Sequence, residues 1–180
     1  KNHNSTILDS VEEDISRLSE ISERFSKIGS KPKFRNFSLY KLIEEVSLYM
    51  NHRLPKNSSI NIKYSGDEGI NIQGDWVLLR WAVENLMKNA VDSIGIGNGE
   101  ILISVSLSEN CVQLDISDTG KGINRADWKN IFRPGYSSKQ RGWGLGLSLT
   151  QRIVEEIHWG SIQVLSSKPG KTVFRLNFPQ

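Results

Sequence analysis

Hydrophobic residues near the start of the chain recur on alternating steps of three and four, as on one face of an amphipathic helix. The pattern predicts a helix over residues 4–29 that ends at Gly29 and carries a heptad seam. A long helix with one apolar stripe needs a partner, so we expect a helical hairpin or a dimer; packing on its own domain is the alternative. The seam contains Ile7, Val11, Leu18, Ile21, Phe25 and Ile28, with Asp14 in one slot.

Beyond a proline-containing linker at residues 30–37, the chain mixes helical with strand-like periodicity. Asp75 is placed to cap a helix, and glycine-rich turns separate several of the alternating segments. Because hairpins outnumber crossovers, the pattern favours an α+β fold with helices on one face of a mixed, mostly antiparallel sheet. Helices are predicted over 39–53, 76–94 and 147–158, with a short one at 125–131, and strands over 60–64, 70–73, 101–107, 112–116, 161–165 and 172–178.

Composition narrows the classes of function. The 180 residues suit one domain with a helical extension, and 23 basic against 20 acidic residues leave a net charge of +3, too small to indicate a nucleic-acid partner. The single cysteine, Cys111, excludes an internal disulfide framework and a multi-thiolate zinc site. No apolar run approaches the roughly 20 residues of a membrane helix, and the N-terminus lacks a signal-peptide core. We expect a soluble piece without membrane contact, which could belong to a longer protein.

Two asparagines, Asn85 and Asn89, lie four residues apart on the predicted helix 76–94, so their amides point to one side. Two carboxamide oxygens in line suit a hydrated Mg²⁺ that already carries phosphate charge. An ordinary solvated helix face is the alternative, although Leu86 and Ala90 place the rest of this helix in the core.

A second motif, Asp-Thr-Gly-Lys-Gly-Ile at residues 118–123, follows an apolar strand directly. Gly120 and Gly122 allow the backbone to approach a ligand closely. The Asp118 carboxylate, at a strand end, is a directional acceptor suited to an exocyclic amine such as that of adenine. An ordinary turn is the alternative, because Asp-Thr-Gly is also turn chemistry.

A third motif places Gly142, Gly144 and Gly146 at alternate positions, running straight into the predicted helix 147–158. Alternate glycines leave backbone amides accessible and the helix start adds positive charge, which together make a phosphate cradle. The spacing differs from those of the nucleotide P-loop and the dinucleotide fingerprint. A flexible loop cap is the alternative.

In this order and spacing the three motifs resemble the N, G1 and G2 boxes of the GHKL ATP-binding superfamily. Residues 131–139 are similar to the F box of sensor histidine kinases, in the variant that ends in a lysine, and residues 170–179 resemble the closing strand of that catalytic domain. The resemblance covers residues 36–180, and residues 1–30 are similar to the second helix of the family's dimerisation hairpin. It implies an α/β sandwich with ATP between helices and a mobile lid over residues 121–143.

The resemblance also implies roles for single residues. Asp118 recognises the adenine amine, helped by Thr172, and Lys139 or Arg141 clamps the γ-phosphate. Many members carry a basic residue where this chain has Asp92, so the positive charge must come from Lys88, Lys139, Arg141 or the metal. The implied ligands of Mg²⁺ and the phosphates are Asn85 and Asn89, and the remaining implied nucleotide contacts are Gly120, Gly122, Ile123, Gly142, Gly144, Leu145, Gly146 and Thr172.

The implied activity is transfer of the γ-phosphoryl group of Mg-ATP to a histidine and then to a response-regulator aspartate. His3, His52 and His158 do not fit the family's acceptor box, so we expect the acceptor outside this chain; His158 ends a predicted helix, where a cation suits the dipole. Asn85 occupies the register at which hydrolytic members place a water-activating glutamate. The intact protein is expected to be a homodimer with this part in the cytoplasm, commonly below a membrane anchor. A nucleotide-binding pseudokinase or scaffold and an anti-sigma-type serine kinase are the alternatives.

Overall fold

The computed structural model describes residues 29–55, 57–108, 110–137 and 143–180, together with positions 15, 19, 22, 26 and 27. The predicted helix over residues 4–29 therefore lies largely outside the described residues, and its role in a hairpin stays a prediction. The chain divides into two compact units, Lys1–Pro32 and Lys33–Gln180. Within the described part, no helix combines the length and the apolar character needed to cross a membrane.

As far as its residues are described, the second unit combines two sheets with helical segments. In a five-stranded sheet of order β2-β4-β5-β7-β6, only β2 and β4 run parallel. A separate antiparallel ribbon joins β1 to β3. The α+β prediction with a mixed, mostly antiparallel sheet is confirmed. The elements are β1 (Phe34–Ser38), α1 (Leu39–Asn51), β2 (Ser59–Gly66), β3 (Asn71–Asp75), α2 (Trp76–Ile94), β4 (Asn98–Ser108), β5 (Cys111–Asp118), a 3₁₀ turn (Arg125–Asp127), α3 (Gly146–Gln151) with its π-helical continuation (Arg152–Ile157), β6 (Ser161–Lys168) and β7 (Lys171–Pro179).

The core lies between one face of the five-stranded sheet and the helices. Along β4, Ile101, Ile103 and Val105 are buried, while the residues between them are partly exposed, so each strand turns its apolar side inward. On the outer face, Arg175 of β7 makes a bidentate pair with Asp115 of β5, at 2.8 and 2.7 Å. Each buried Val, Leu or Met side chain of α2 stabilises the fold by roughly 1.5–3 kcal/mol, and each buried alanine by less. The buried residues of α2 are Leu78, Leu79, Ala82, Val83, Leu86, Met87, Ala90 and Val91.

Helix α2 begins and ends where the sequence predicts. Asp75 caps it, its Oδ1 accepting hydrogen bonds from the backbone N–H groups of Val77 at 3.0 Å and Leu78 at 3.2 Å. Its C-terminal Gly95 has a φ of 73°, and the Gly95 N–H donates to the Val91 carbonyl. Both signals are local, because they depend on residues next to the helix ends.

One prediction needs correction. The segment 30–37 is only partly a linker, because Phe34–Ser38 forms β1 by pairing with β3, a partner 33 to 41 residues away that the local pattern does not reveal. The strands predicted over 60–64 and 70–73 are present in β2 and β3, which enter different sheets. The helix predicted over 147–158 is also present, and it changes from α to π at Arg152.

Candidate functional site

The first and third motifs face each other in the structure. Asn85, midway along α2, donates from Nδ2 to the Gly146 carbonyl at 3.5 Å, the upper limit for a hydrogen bond. The same carbonyl accepts from the Thr150 hydroxyl at 2.9 Å. Asn89 lies one turn further along α2, and both asparagines are half-buried. The start of α3 therefore lies against the asparagine-bearing face of α2.

Asp118 is a buried carboxylate at the end of β5, with only 4% of its surface exposed. Its Oδ1 accepts a hydrogen bond from the Gly120 N–H at 2.8 Å. Burial raises the pKa of Asp118, and the hydrogen bonds from Gly120 and from the Ser93 side chain oppose that rise. A buried carboxylate with so few donors has remaining acceptor capacity, so it can bind a donor on a ligand.

The turn after Asp118 packs against the last residues of α2. A Cβ at Gly120 would lie 2.1 Å from the Ser93 Oγ and 2.6 Å from the Ser93 backbone carbon, so only glycine fits here. The Lys121 N–H donates to the Ser93 carbonyl at 3.1 Å. The second motif is thus held at the C-terminal end of the helix that carries the first.

Thr172 and Ile123 complete this end of the site. Thr172 is directly opposite Asp118 in the β5–β7 register and is 1% exposed. Its hydroxyl lies 3.0 Å from the Ser167 Oγ, which also accepts the Ile123 N–H at 2.8 Å. The Gly170 N–H donates to the Gly120 carbonyl at 2.8 Å. The β6–β7 hairpin therefore fixes the turn that follows Asp118.

The glycine segment is described only from Trp143 onward. Gly144 has a φ of +64°, and a Cβ there would lie 2.4 Å from the Gly135 carbonyl carbon; the Gly135 N–H donates to the Gly144 carbonyl at 3.0 Å. The Leu145 carbonyl accepts the Leu149 N–H and so begins α3. Lys139, Arg141 and Gly142 lie outside the described residues, so their predicted roles stay predictions.

Ser93 and Ser167 are site residues that the sequence reasoning missed. Ser93 continues the four-residue row begun by Asn85 and Asn89 on α2, and this spacing could have identified it. Ser167 comes into contact with Ile123 and Thr172 only in the folded chain, so no local sequence pattern identifies it as a residue of the site.

The histidine at the end of the π-helical segment differs from its prediction. His158 was expected as a cation at a helix end, but it is 3% exposed and its Nε2 accepts a hydrogen bond from the Asp75 N–H at 2.9 Å. Burial lowers the pKa of His158, so the ring is neutral near pH 7. The C-cap residue of α1, His52, is exposed.

The donor set suits a metal that is bound together with phosphate. Among residues 29–137 and 143–180, as far as they are described, no group of three or more His, Cys, Asp or Glu side chains could hold a metal ion. Asn85 and Asn89 offer neutral amide oxygens beside the glycine segment, which matches Mg²⁺, since that ion keeps water and substrate phosphate as most of its ligands.

Comparisons with known proteins agree with this geometry. Residues 74–180, more than half of the chain, match the family model of histidine kinase-, DNA gyrase B- and HSP90-like ATPases. Sporulation kinase B of Bacillus subtilis (strain 168) is 33% identical over 147 residues, 79% of this chain and 33% of that protein. Sensor histidine kinase ZraS of Escherichia coli (strain K12) is 32% identical over 142 residues, 75% of this chain and 30% of that protein. The solved catalytic domain of histidine kinase ThkA aligns with a TM-score of 0.72 and 28% identity, over 82% of this chain and 95% of that chain. The chain spans about a third of the length of these two curated relatives.

Proposed function

The chain belongs to the family of histidine kinase-, DNA gyrase B- and HSP90-like ATPases, as an ATP-binding catalytic domain of the sensor histidine kinase type, and we propose that the whole protein phosphorylates a histidine from Mg-ATP. The phosphoryl group then passes to an aspartate of a response regulator. The acceptor histidine lies outside this chain, the intact protein is a dimer through residues 1–30, and this part lies in the cytoplasm.

One observation carries the proposal: the second and third sequence motifs both contact α2, the helix that carries the first. Asn85 meets Gly146 near the middle of α2, and Ser93 meets Asp118 and Gly120 at its end. Eight residues of helix separate Asn85 from Ser93, a rise of about 12 Å. That length accommodates a base at the Asp118 end and phosphates at the glycine end.

Different residues of the site bind the base and the phosphates of the nucleotide. Asp118 accepts the adenine amino group, with Thr172 beside it, and the close approach of Gly120 to Ser93 shapes the adenine end of the site. The Gly144–Gly146 backbone contacts the phosphates, and Asn85 and Asn89 hold the metal. Bound Mg²⁺ supplies positive charge that offsets the phosphate charge. Such a site acts by positioning and electrostatics.

Phosphotransfer is favoured over hydrolysis by the side chain at one position. Asn85 stands where a water-activating carboxylate would be needed four residues before Asn89, and an amide cannot take a proton from water. The phosphates are therefore held for attack by a nucleophile from another protein segment.

Radiolabelled transfer tests the proposal. ATP carrying label in its γ-phosphate is incubated with the 180-residue chain and a separately produced upstream segment of the whole protein. We expect Mg-dependent label on a histidine of that segment, recognised because phosphohistidine is stable to alkali and labile to acid. Nucleotide binding without any labelled acceptor would instead support the scaffold alternative, and label on serine would support the serine kinase.

A further inference from the structure

His158 joins two helices of the site at the end remote from the glycine segment. Its Nε2 accepts the Asp75 N–H at 2.9 Å, and its Nδ1 lies 2.7 Å from the Ile153 carbonyl. A carbonyl only accepts, so Nδ1 must carry the proton. Only the neutral ring, protonated at Nδ1, makes both hydrogen bonds.

The partner of this ring, Asp75, is where α2 begins. Its carboxylate caps the helix through Val77 and Leu78, and its Oδ2 accepts the Lys33 N–H at 2.7 Å. His158 therefore fixes the backbone of the residue that sets the first turn of α2. Asn85 follows ten residues later, about 15 Å along the helix axis.

The ring is enclosed on several sides. Phe34 of β1 stacks on it with a centroid separation of 5.0 Å and an interplanar angle of 11°, and Phe178 of β7 meets it edge-on. A Cβ at Gly74 would lie 3.0 Å from the ring atoms Cδ2 and Nε2. Packing against these residues therefore holds the imidazole in the position from which it makes both hydrogen bonds.

We propose that His158 is a positioning residue of the nucleotide site. It connects the start of α2 to the end of the helical segment that follows the glycine segment. This inference rests on the proposed function. The two segments touch again where Asn85 meets Gly146. His158 and Gly146 stand at opposite ends of the segment from Gly146 to Ile157 and its cap. Loss of the hydrogen bond between Asp75 and His158 lets this helical segment pivot. The glycine segment then no longer faces Asn85 and Asn89 correctly.

A pH dependence follows from the hydrogen-bond directions. Protonated Nε2 would point its N–H at the Asp75 N–H, and two donors repel each other. The Asp75 carboxylate is the charged group that acts on the ring, while Phe34, Ile153 and Phe178 bring no charged side chains. Burial lowers the pKa of His158 from its ordinary 6.5. The contact between His158 and Asp75 therefore holds at neutral pH and is lost only as the pH falls through a folded-state pKa that lies below 6.5.

Nucleotide titrations at two pH values test the inference on the 180-residue chain with Mg-ATP. In His158→Gln the amide oxygen can still accept from the Asp75 N–H but does not titrate. In His158→Phe the ring stack remains and the acceptor is lost. His52→Gln, at an exposed histidine, is the matched control. At pH 7.5 we expect His158→Phe to bind about tenfold more weakly, a loss of about 1.4 kcal/mol, because the helical segment is then no longer held to Asp75, and His158→Gln to stay within about threefold.

The second pH separates positioning from a merely structural role. Between pH 7.5 and the lowest pH at which circular dichroism shows the unmodified chain to be folded, the unmodified chain and His52→Gln should lose at least about threefold more affinity than His158→Gln, because they keep the titrating ring of His158. The titration of Asp118 is shared by all of these proteins and cancels. Parallel pH profiles would overturn the inference and leave the proposed function standing. Unchanged affinity in a folded His158→Phe would do the same. If His158→Phe does not fold, the pH comparison decides. An unmodified chain that binds no nucleotide at pH 7.5 refutes the proposed function and the inference with it.

Discussion

Replacing Gly120 by alanine tests how closely the turn after Asp118 must approach α2. The new methyl group would lie 2.1 Å from the Ser93 Oγ and 2.6 Å from the Ser93 backbone carbon. The hydroxyl can rotate away, but the backbone carbon belongs to a helix held by the core. The turn itself must therefore move.

The magnitude follows from the contacts that this movement disturbs. Gly120 donates to the Asp118 carboxylate at 2.8 Å and accepts from Gly170 at 2.8 Å, and Lys121 donates to Ser93 at 3.1 Å. Each hydrogen bond contributes about 1 kcal/mol net, and overpacking of this kind costs about 1–3 kcal/mol. Because the turn can relax in part, we expect a loss of about 2–3 kcal/mol in the free energy of unfolding.

Chemical denaturation followed by circular dichroism measures this loss, and calorimetry of the same variant measures ATP affinity. Gly69→Ala is the matched control, because its Cβ would meet only the flexible Asp67 side chain, at 3.1 Å or more; we expect less than about 0.5 kcal/mol there. ATP affinity should fall in Gly120→Ala and stay unchanged in Gly69→Ala. A Gly120→Ala protein as stable as its parent, with parental affinity, would refute the close approach described here.

Two further predictions concern the polar residues of the site. Asn89→Ala should weaken Mg-dependent ATP binding at least about tenfold while the fold persists, whereas Asn61→Ala, on the exposed face of β2, should bind like the parent; equal calorimetric affinities would contradict the metal assignment. Because burial raises the folded-state pKa of Asp118 above its unfolded 3.8, its ionisation lowers stability as the pH rises through that interval. Asp118→Asn should therefore be at least as stable as the parent at pH 7 in thermal melts, yet lose its preference for ATP over GTP; a clear fall in melting temperature would contradict the sign.

The elements predicted correctly are those whose signals are local. Asp75 and Gly95 lie beside the ends of α2, and the apolar periodicity between them needs no tertiary partner to be read. The strand β1 illustrates the opposite case: Phe34–Ser38 becomes extended only because β3 pairs with it. Its short sequence, which closely follows Pro32, resembles a linker when it is considered alone.

The site shows the same division. The spacing of Asn85 and Asn89 and the glycine motifs could be identified from the sequence, but the contact of Asn85 with Gly146 depends on how α2 and α3 pack. The charge state of His158 was wrongly predicted, because a helix-end position suggests a cation whereas burial and the Asp75 N–H select the neutral ring. Such reversals come from tertiary desolvation, which a single sequence does not display.

Calorimetric titration of the 180-residue chain with ATP, with and without Mg²⁺, tests the central claim most directly. The tryptophan at the described start of the glycine segment, Trp143, is exposed and offers a parallel fluorescence signal. The account predicts saturable one-to-one binding that requires Mg²⁺ and is weakened by Asn89→Ala. Absence of binding at millimolar nucleotide, by a chain that circular dichroism shows to be folded, would contradict it.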